Sequence, residues 1–492
     1  MVVLGLVLVP LAVAVLILLL NSRLAKSIAL FGTLLELALG VYAFVLLAHT
    51  DSEPSNLKLI TWHTAWLVQL GSDFHLQLDG ISIILVVLTV LLLPFIILSS
   101  FNRETRNPKA FYALILLMQS ALVGVFTARD AFLFYIFWEL ALIPIYFICL
   151  LWGGEGRQRI TFKFFIYTLT GSLFMLVALI YLVTHTKTFS FDMRSIYEAG
   201  ASLTLKQQML VFGAMYLAFA IKIPIFPLHT WQPDTYVNAP TQGTMLLSCI
   251  MLKMGTFALI RWLIPVVPMA WEHLSYWVIL ISVVSVIYGS LMAITQQDFK
   301  RLLAYSSMGH VGLIAAGIFT FNLQGVQGGL FQMLSHGINV VGLFFVCDII
   351  MNRMKTDTMR SLGGIREVSP LFAVLFMVVL LGSVALPLTN GFVGEFMLLH
   401  GIFQYQTIFA ALGGLTVIFG AVYMLRAYHT MMHGSSNELT AVFGELALNE
   451  KIVLAGLVVL IIAFGVHPKI MLDVSEPAVR QLVDYVHSVS KL

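Results

Sequence analysis

Four ionisable side chains stand deep in apolar runs: Glu139 in FLFYIFWELALIPIYF, Lys222 in YLAFAIKIPIFPLH, Lys253 in LLSCIMLKMGTFAL and Glu395 in PLTNGFVGEFMLL. A charge at the centre of a membrane span costs about 2.5–3.5 kcal/mol on insertion scales. Such residues persist when they pair, face water or relay protons. Carboxylates and amines both exchange protons, and burial or a counter-charge decides which form each holds. At ~4 Å and an effective dielectric of ~20, a carboxylate–ammonium pair is worth about 4 kcal/mol. Moving one charge through 100 mV takes about 2.3 kcal/mol. Making and breaking a Glu139–Lys222 contact can therefore load and release a proton against a membrane potential.

The plain alternative for any one of these charges is a structural ion pair between helices. Such pairing should leave the helices regular, and two of these segments carry breakers. Lys222 is followed by Pro224 and Pro227, and Glu395 is preceded by Pro387 and by Thr389-Asn390-Gly391. Proline removes an amide donor and frees a carbonyl one turn back. In lipid those orphaned groups must find protein or water, so a broken helix beside a buried charge marks a hydrated cavity or ion site. Glu36, in the second apolar run, has no break beside it and reads as an interface or structural residue.

A second polar layer lies between these charges. Ser306 and His310 are four apart, and Gln332, His336 and Asn339 make a similar stripe further on. Helical residues at that spacing share a face. A lone histidine on an apolar helix is ordinarily a packing residue. Two with aligned polar neighbours fit a proton wire, because histidine titrates near neutrality. His429 and His433 are also four apart but lack a partnering carboxylate motif, so no metal site is expected.

The elements that must position these residues are membrane spans. The 492 residues are 60% hydrophobic and only 10% charged, which excludes an ordinary soluble domain. The formal net charge of +3 gives no reason to expect nucleic acid as a partner. Cys149, Cys249 and Cys347 form no CxxC pair, so no cofactor, iron–sulfur centre or structural zinc is expected in this chain. The first run, 1–20, has no basic n-region and no A-x-A site, so it reads as a retained span and not a signal peptide. Dividing the chain at its polar breaks predicts an all-α fold with about fourteen transmembrane helices. The polar stretches 49–80 and 185–206 read as loops, and the tail from Asp473 as a short amphipathic surface segment. Basic loops around Arg103-Arg106-Lys109, Arg157-Arg159-Lys163 and Arg353-Lys355-Arg360-Arg366 predict a cytoplasmic face, with both termini outside.

At these residues the sequence resembles the antiporter-like membrane subunits of respiratory complex I. The resemblance rests on FWELALIPIYF, KFFIYTLTGS, AFAIKIPIFPLHTWQPDTYVNAPTQGT, MLKMGTFALIRW, QQDFKRLLAYSSMGHVG, GFVGEF and HPKIMLDVS, and runs from about residue 75 to 475. It implies three N-terminal helices in 1–109 and two inverted five-helix repeats, 110–263 and 264–428. A last helix and tail would follow in 429–492, and the seventh and twelfth helices would be broken. It implies that Glu139 and Lys222 form a coupling pair and that Lys253 is a central relay. His310 and His336 would continue the path, and Glu395 would be the terminal proton site. Related subunits generally carry lysine at that last position. The familiar WLPD stretch is here Trp231-Gln232-Pro233-Asp234, and Gln232 is expected to affect a loop or its water access and not the relay.

The implied function is proton translocation in the membrane arm of an NADH:quinone oxidoreductase in the bacterial inner membrane. Electron transfer would occur in other subunits. The implied partners are the other membrane-arm subunits, neighbouring antiporter-like ones included, and the lipid bilayer. A subunit of an Mrp-type cation/proton antiporter, or of a membrane-bound hydrogenase-like complex, would share the same core motifs.

Overall fold

A run of leucine, valine and isoleucine in lipid must satisfy every backbone group within its own segment, and an α-helix does so. The computed structural model describes residues 1–48 and 58–490, and among them twelve helices are long and apolar enough to cross a membrane. They are not equally sheltered. Thr241–Leu263, Phe299–Phe319 and Leu323–Met354 are buried throughout their most apolar 18 residues, whereas Val2–Leu19, Ser22–Ala48, Thr407–Met432 and Leu448–Val466 bury only a third of theirs. Lys253, His310 and His336 therefore ride on interior helices, screened from lipid by the outer ones.

Two further apolar segments are interrupted where the prolines stand. Leu205–Lys222 stops at Lys222, and the chain resumes helix as Gln232–Asn238. Pro370–Ser383 stops before Pro387 and resumes as Asn390–Tyr405. The expected count of fourteen takes each interrupted segment as one crossing; length and hydropathy alone support twelve.

The two breaks are built alike. After Lys222, Ile225 N–H donates to Ala220 O at 3.0 Å and Leu228 N–H to Ile225 O at 2.7 Å. After Ser383, Leu386 N–H donates to Leu381 O at 3.1 Å and Thr389 N–H to Leu386 O at 3.0 Å. Pro224 and Ala385, at matching places, both have positive φ (27° and 57°). A second correspondence lies at the start of the Glu139 and His310 helices. Ala131 N–H donates to Phe191 O and Met193 N–H to Arg129 O; Phe299 N–H donates to Asp357 O and Met359 N–H to Gln297 O. Each pair flanks one isolated antiparallel bridge, Asp130 with Asp192 and Asp298 with Thr358.

Part of the stretch read as loop is structured. Ile60–Leu67 and Ser72–Leu78 form an antiparallel hairpin, turning at Gly71 with φ 68°. A side chain at Gly71 would meet the Phe189 carbonyl, so the turn needs glycine. The hairpin is anchored to helix ends by Arg129 N–H on His75 O and Phe191 N–H on Gly71 O, contacts no local pattern reveals. Residues 49–57 of that stretch lie outside the described residues. In the second supposed loop, Asp192 accepts from Arg194 N–H and caps a helix, Met193–Ser202. The tail is one helix, Lys469–Ser490, and its buried stripe Met471, Ser475, Ala478, Leu482 and Val486 has the spacing of a single face.

Candidate functional site

Lys253 owes its position to the local shape of its helix. The Thr241–Leu263 segment widens into π-turns at Leu247–Met251 and Leu259–Leu263, one on each side of Lys253. π-turns disturb the regular ladder and are frequent at functional sites. Lys253 Nζ donates to Ser248 O at 2.7 Å and stands 2.7 Å from His336 Nδ1, and the side chain is 1% exposed. An ammonium at that distance needs Nδ1 bare, which leaves the His336 proton on Nε2, 3.2 Å from Ser307 Oγ.

The histidines fall in order along this line. The His310 and His336 ring centroids are 5.9 Å apart. His310 Nδ1 lies 2.9 Å from Glu395 Oε1, which also accepts from Gln332 Nε2 at 3.2 Å. Glu395 is 2% exposed, and its Oε2 has no partner among the described residues. Both histidines line a cavity of about 20 Å³, which Ser306, Ser307, Gln332 and Asn339 also touch. That is room for about one water, with enough polar neighbours to hold it. Lys253, His336, His310 and Glu395 thus form one polar line, with a water-sized cavity beside its two histidines.

The break before Glu395 is held open by the His336 helix. Asn339 Nδ2 donates to Gly382 O at 2.9 Å and Ser335 Oγ to Asn390 O at 3.0 Å. Gly382 O, a last-turn carbonyl orphaned by the interruption, is thus satisfied from the helix that carries His336.

The first half of the path is more open. Lys222, 2% exposed, ends its helix, and its Nζ lies 5.3 Å from the centroid of the Trp138 ring. Glu139, the next residue, is half-buried, and its Oε1 has no partner among the described residues. Glu139 and Lys222 are near one another but not joined by a hydrogen bond or ion pair among the described residues. The Lys222 Nζ rests against the ring of Trp138, the residue before Glu139. Lys222 and Lys253 likewise share no direct bond.

Backbone and side chains clamp the first break to the His310 helix instead. Lys300 Nζ donates to Val237 O at 3.0 Å and Ala239 O at 2.8 Å, and Arg301 donates to Asp234 Oδ1 at 2.8 Å. Gln232 Nε2 donates to Ala304 O at 3.0 Å. Gln232 is therefore no loop residue: it is buried at the start of the half-helix and grips the helix that bears His310.

Sequence reasoning overlooked one ionic cluster. Asp79 accepts from Ile81 N–H and Ser82 N–H, both at 3.0 Å, and pairs with Arg129 at 3.0 Å and with Arg261. Arg261 lies inside FALIRWLIP, a signal as plain as that of Lys253; Asp79 sits in a polar stretch and gives none. The cluster lines a cavity of about 800 Å³ at the hairpin end, closed in part by Tyr197 and Tyr485. Burial alone would raise the Asp79 carboxyl. The Arg261 and Arg129 guanidiniums and the Ser82 amide outweigh it and hold the group down to about 2. A depressed carboxyl contributes stability that is fully present above the ordinary aspartate value of about 4 and lost as pH falls through about 2. Asp79→Asn leaves two guanidiniums without their carboxylate, at a cost of about 3–5 kcal/mol. Thermal unfolding in detergent should show a lower Tm at neutral pH and a shallower acid limb; an unchanged Tm would refute the role.

With this geometry in hand, the relatives agree. Residues 128–420 match the family described as NADH:quinone oxidoreductase/Mrp antiporter, transmembrane. The chain is 40% identical over 441 residues to NADH-quinone oxidoreductase subunit M of Rickettsia conorii, covering 89% of each chain. It superposes on a chain of respiratory complex I from Thermus thermophilus with TM-score 0.88 and 30% identity, over 98% of this chain and 100% of that one. A chain of the Mrp complex from Dietzia shares the fold, with TM-score 0.85 at 19% identity over 99% of both. This chain belongs to the NADH:quinone oxidoreductase/Mrp antiporter transmembrane family, and the curated relatives it matches include NADH-quinone oxidoreductase subunit M of Rhodobacter capsulatus, 38% identical over 95% of this chain.

Proposed function

We propose that this chain is a proton-translocating subunit in the membrane arm of an NADH:quinone oxidoreductase, seated beside other antiporter-like subunits in a bacterial inner membrane. The observation that carries the reading is the buried line from Lys253 through His336 and His310 to Glu395. In it Glu139 and Lys222 set the charge at the first break, Lys253 holds the central proton, the histidines pass it, and Glu395 releases it. Electron transfer belongs to other subunits: the three cysteines here are buried and lie on separate helices.

The matched breaks and matched bridges support two inverted units, 110–263 and 264–428, flanked by 1–109 and 429–492. Counting each broken segment once gives fourteen crossings, which returns both termini to the outer side. The basic loops then face the cytoplasm, where protons enter.

Purifying the intact complex through a tag on this chain tests the reading. Expected is co-purification of an assembly that reduces quinone with NADH and, in vesicles, moves protons as it does so. Co-purification with small antiporter subunits, and no NADH:quinone activity, would overturn it in favour of an Mrp-type complex.

A further inference from the structure

Glu36 is fully buried, and neither carboxylate oxygen has a partner among the described residues. Gln119 is fully buried too, and neither of its amide atoms has a partner there. A structural pairing role for Glu36 therefore has no visible partner. Two such side chains in one domain call for an explanation, and an ordered water or ion is the usual one.

Helix packing places both at one depth. Gly32 sits against Val13 and Gly5 against Leu39, which sets Glu36 level with Leu8 and Val9 of the first helix. Lys109 Nζ donates to Leu18 O and Ser120 Oγ to Val7 O, which sets Gln119 level with Leu8. The third helix gives the same answer independently. Gly40 sits against Val90 and Ser100 meets Tyr112 at 2.7 Å, so Glu36, Pro94 and Met118 share a level. Glu36 lies midway between Gly32 and Gly40 on the buried stripe of its helix, and so points into the junction of helices one, three and four.

Among the described residues, nothing at that junction neutralises a carboxylate. Val2–Leu19 and Ser82–Ser99 contain no charged residue. The one charge on Pro108–Thr127 is Lys109, engaged at the far end with Leu18 O. Lys26, at the start of the Glu36 helix, is engaged with Phe101 O and Arg103 O. The junction is nevertheless not apolar. Pro10 and Pro94 are both buried inside their helices, and each leaves a carbonyl one turn back without its amide. A buried charge that finds no partner neutralises, and a polar pocket with several unmet groups takes water.

We propose that Glu36 and Gln119 form a hydrated proton-holding site among the first four helices, lateral to the relay and separate from it. Glu36 carries the proton, and water links its carboxyl to the Gln119 amide.

A high-resolution map of the intact complex should show ordered water within hydrogen-bond distance of both side chains; a dry pocket, or a direct Glu36–Gln119 bond, would overturn the proposal. Infrared spectra of the assembled complex across a pH change supply the second reading. Glu36→Gln should delete one protonated-carboxyl carbonyl band, and Gln119→Leu should keep that band but shift it. An unchanged spectrum in Glu36→Gln would refute the proton. Should that variant fail to assemble, Gln119→Leu alone decides: a shifted band supports the shared site and an unshifted one ends it.

Discussion

Lys253→Met is expected to abolish NADH-driven proton uptake into vesicles while the complex still assembles. Methionine matches the length and flexibility of the buried stem and so spares the packing. It removes the one group that bonds both Ser248 O and His336 Nδ1. Each unmet group costs about 1–3 kcal/mol, tolerable for a chain held in a large assembly. The loss to function is far larger, because a positioned proton donor contributes about 10²–10⁴-fold to the step it serves. Lys253→Arg separates charge from proton exchange. Guanidinium keeps the positive charge but does not deprotonate in proteins, so the arginine variant should also assemble and should still fail to pump. Pumping near the wild-type rate in the arginine variant would mean that Lys253 works as a fixed charge and not as a relay.

What the sequence could show depended on whether the signal was local. A lysine or glutamate inside an apolar run is local, and so Lys222, Lys253 and Glu395 could be picked out from composition alone. The breaks were local too, because Pro224, Pro227 and Pro387 stand beside the charges they serve. The connections were not. Lys253 and His336 are 83 residues apart, and no spacing rule places one nitrogen on the other. The same holds for His310 and Glu395, 85 apart. The order of the two histidines came only from packing. The π-turns beside Lys253 leave no signature in the sequence, since their segment reads as an ordinary apolar helix. The hairpin was lost for a related reason: its strands are stabilised by the helix ends they dock on, not by their own alternation. Asp79 stayed invisible because a carboxylate in a polar stretch is unremarkable until two arginines far off in the sequence converge on it.

The clamp between the first break and the His310 helix bears on how the first charges would reach the proposed relay. Lys222 has no direct bond to Lys253, yet the half-helix after its break is tied to the His310 helix through Gln232, Asp234 and Lys300. A displacement at the break is therefore shared with the helix that carries Ser306, Ser307 and His310. A charge at Lys222 thus has a second route to the relay, through the position of a helix as well as through the field.

Glu139→Gln is expected to abolish coupled pumping as completely as the loss of Lys222 itself. Glutamine keeps the size and the hydrogen-bonding reach of the side chain and deletes only the charge. In this structure Lys222 Nζ rests over Trp138, and Glu139 Oε1 is free among the described residues, so the pair is poised apart. A pair at ~4 Å is worth about 4 kcal/mol relative to full separation at an effective dielectric of ~20, the same order as the roughly 2.3 kcal/mol needed to move a charge through 100 mV. A neutral amide offers Lys222 no such swing, and the lysine then has no reason to alternate between holding and releasing its proton. Lys222→Ala should give the same phenotype. The double variant should be no worse than either single one, because residues that act as a unit are not additive. Vesicles with the intact complex, assayed for proton uptake per NADH oxidised, read the result. Full pumping in the double variant would reduce the pair to inert structural charges and move the switch elsewhere on the path.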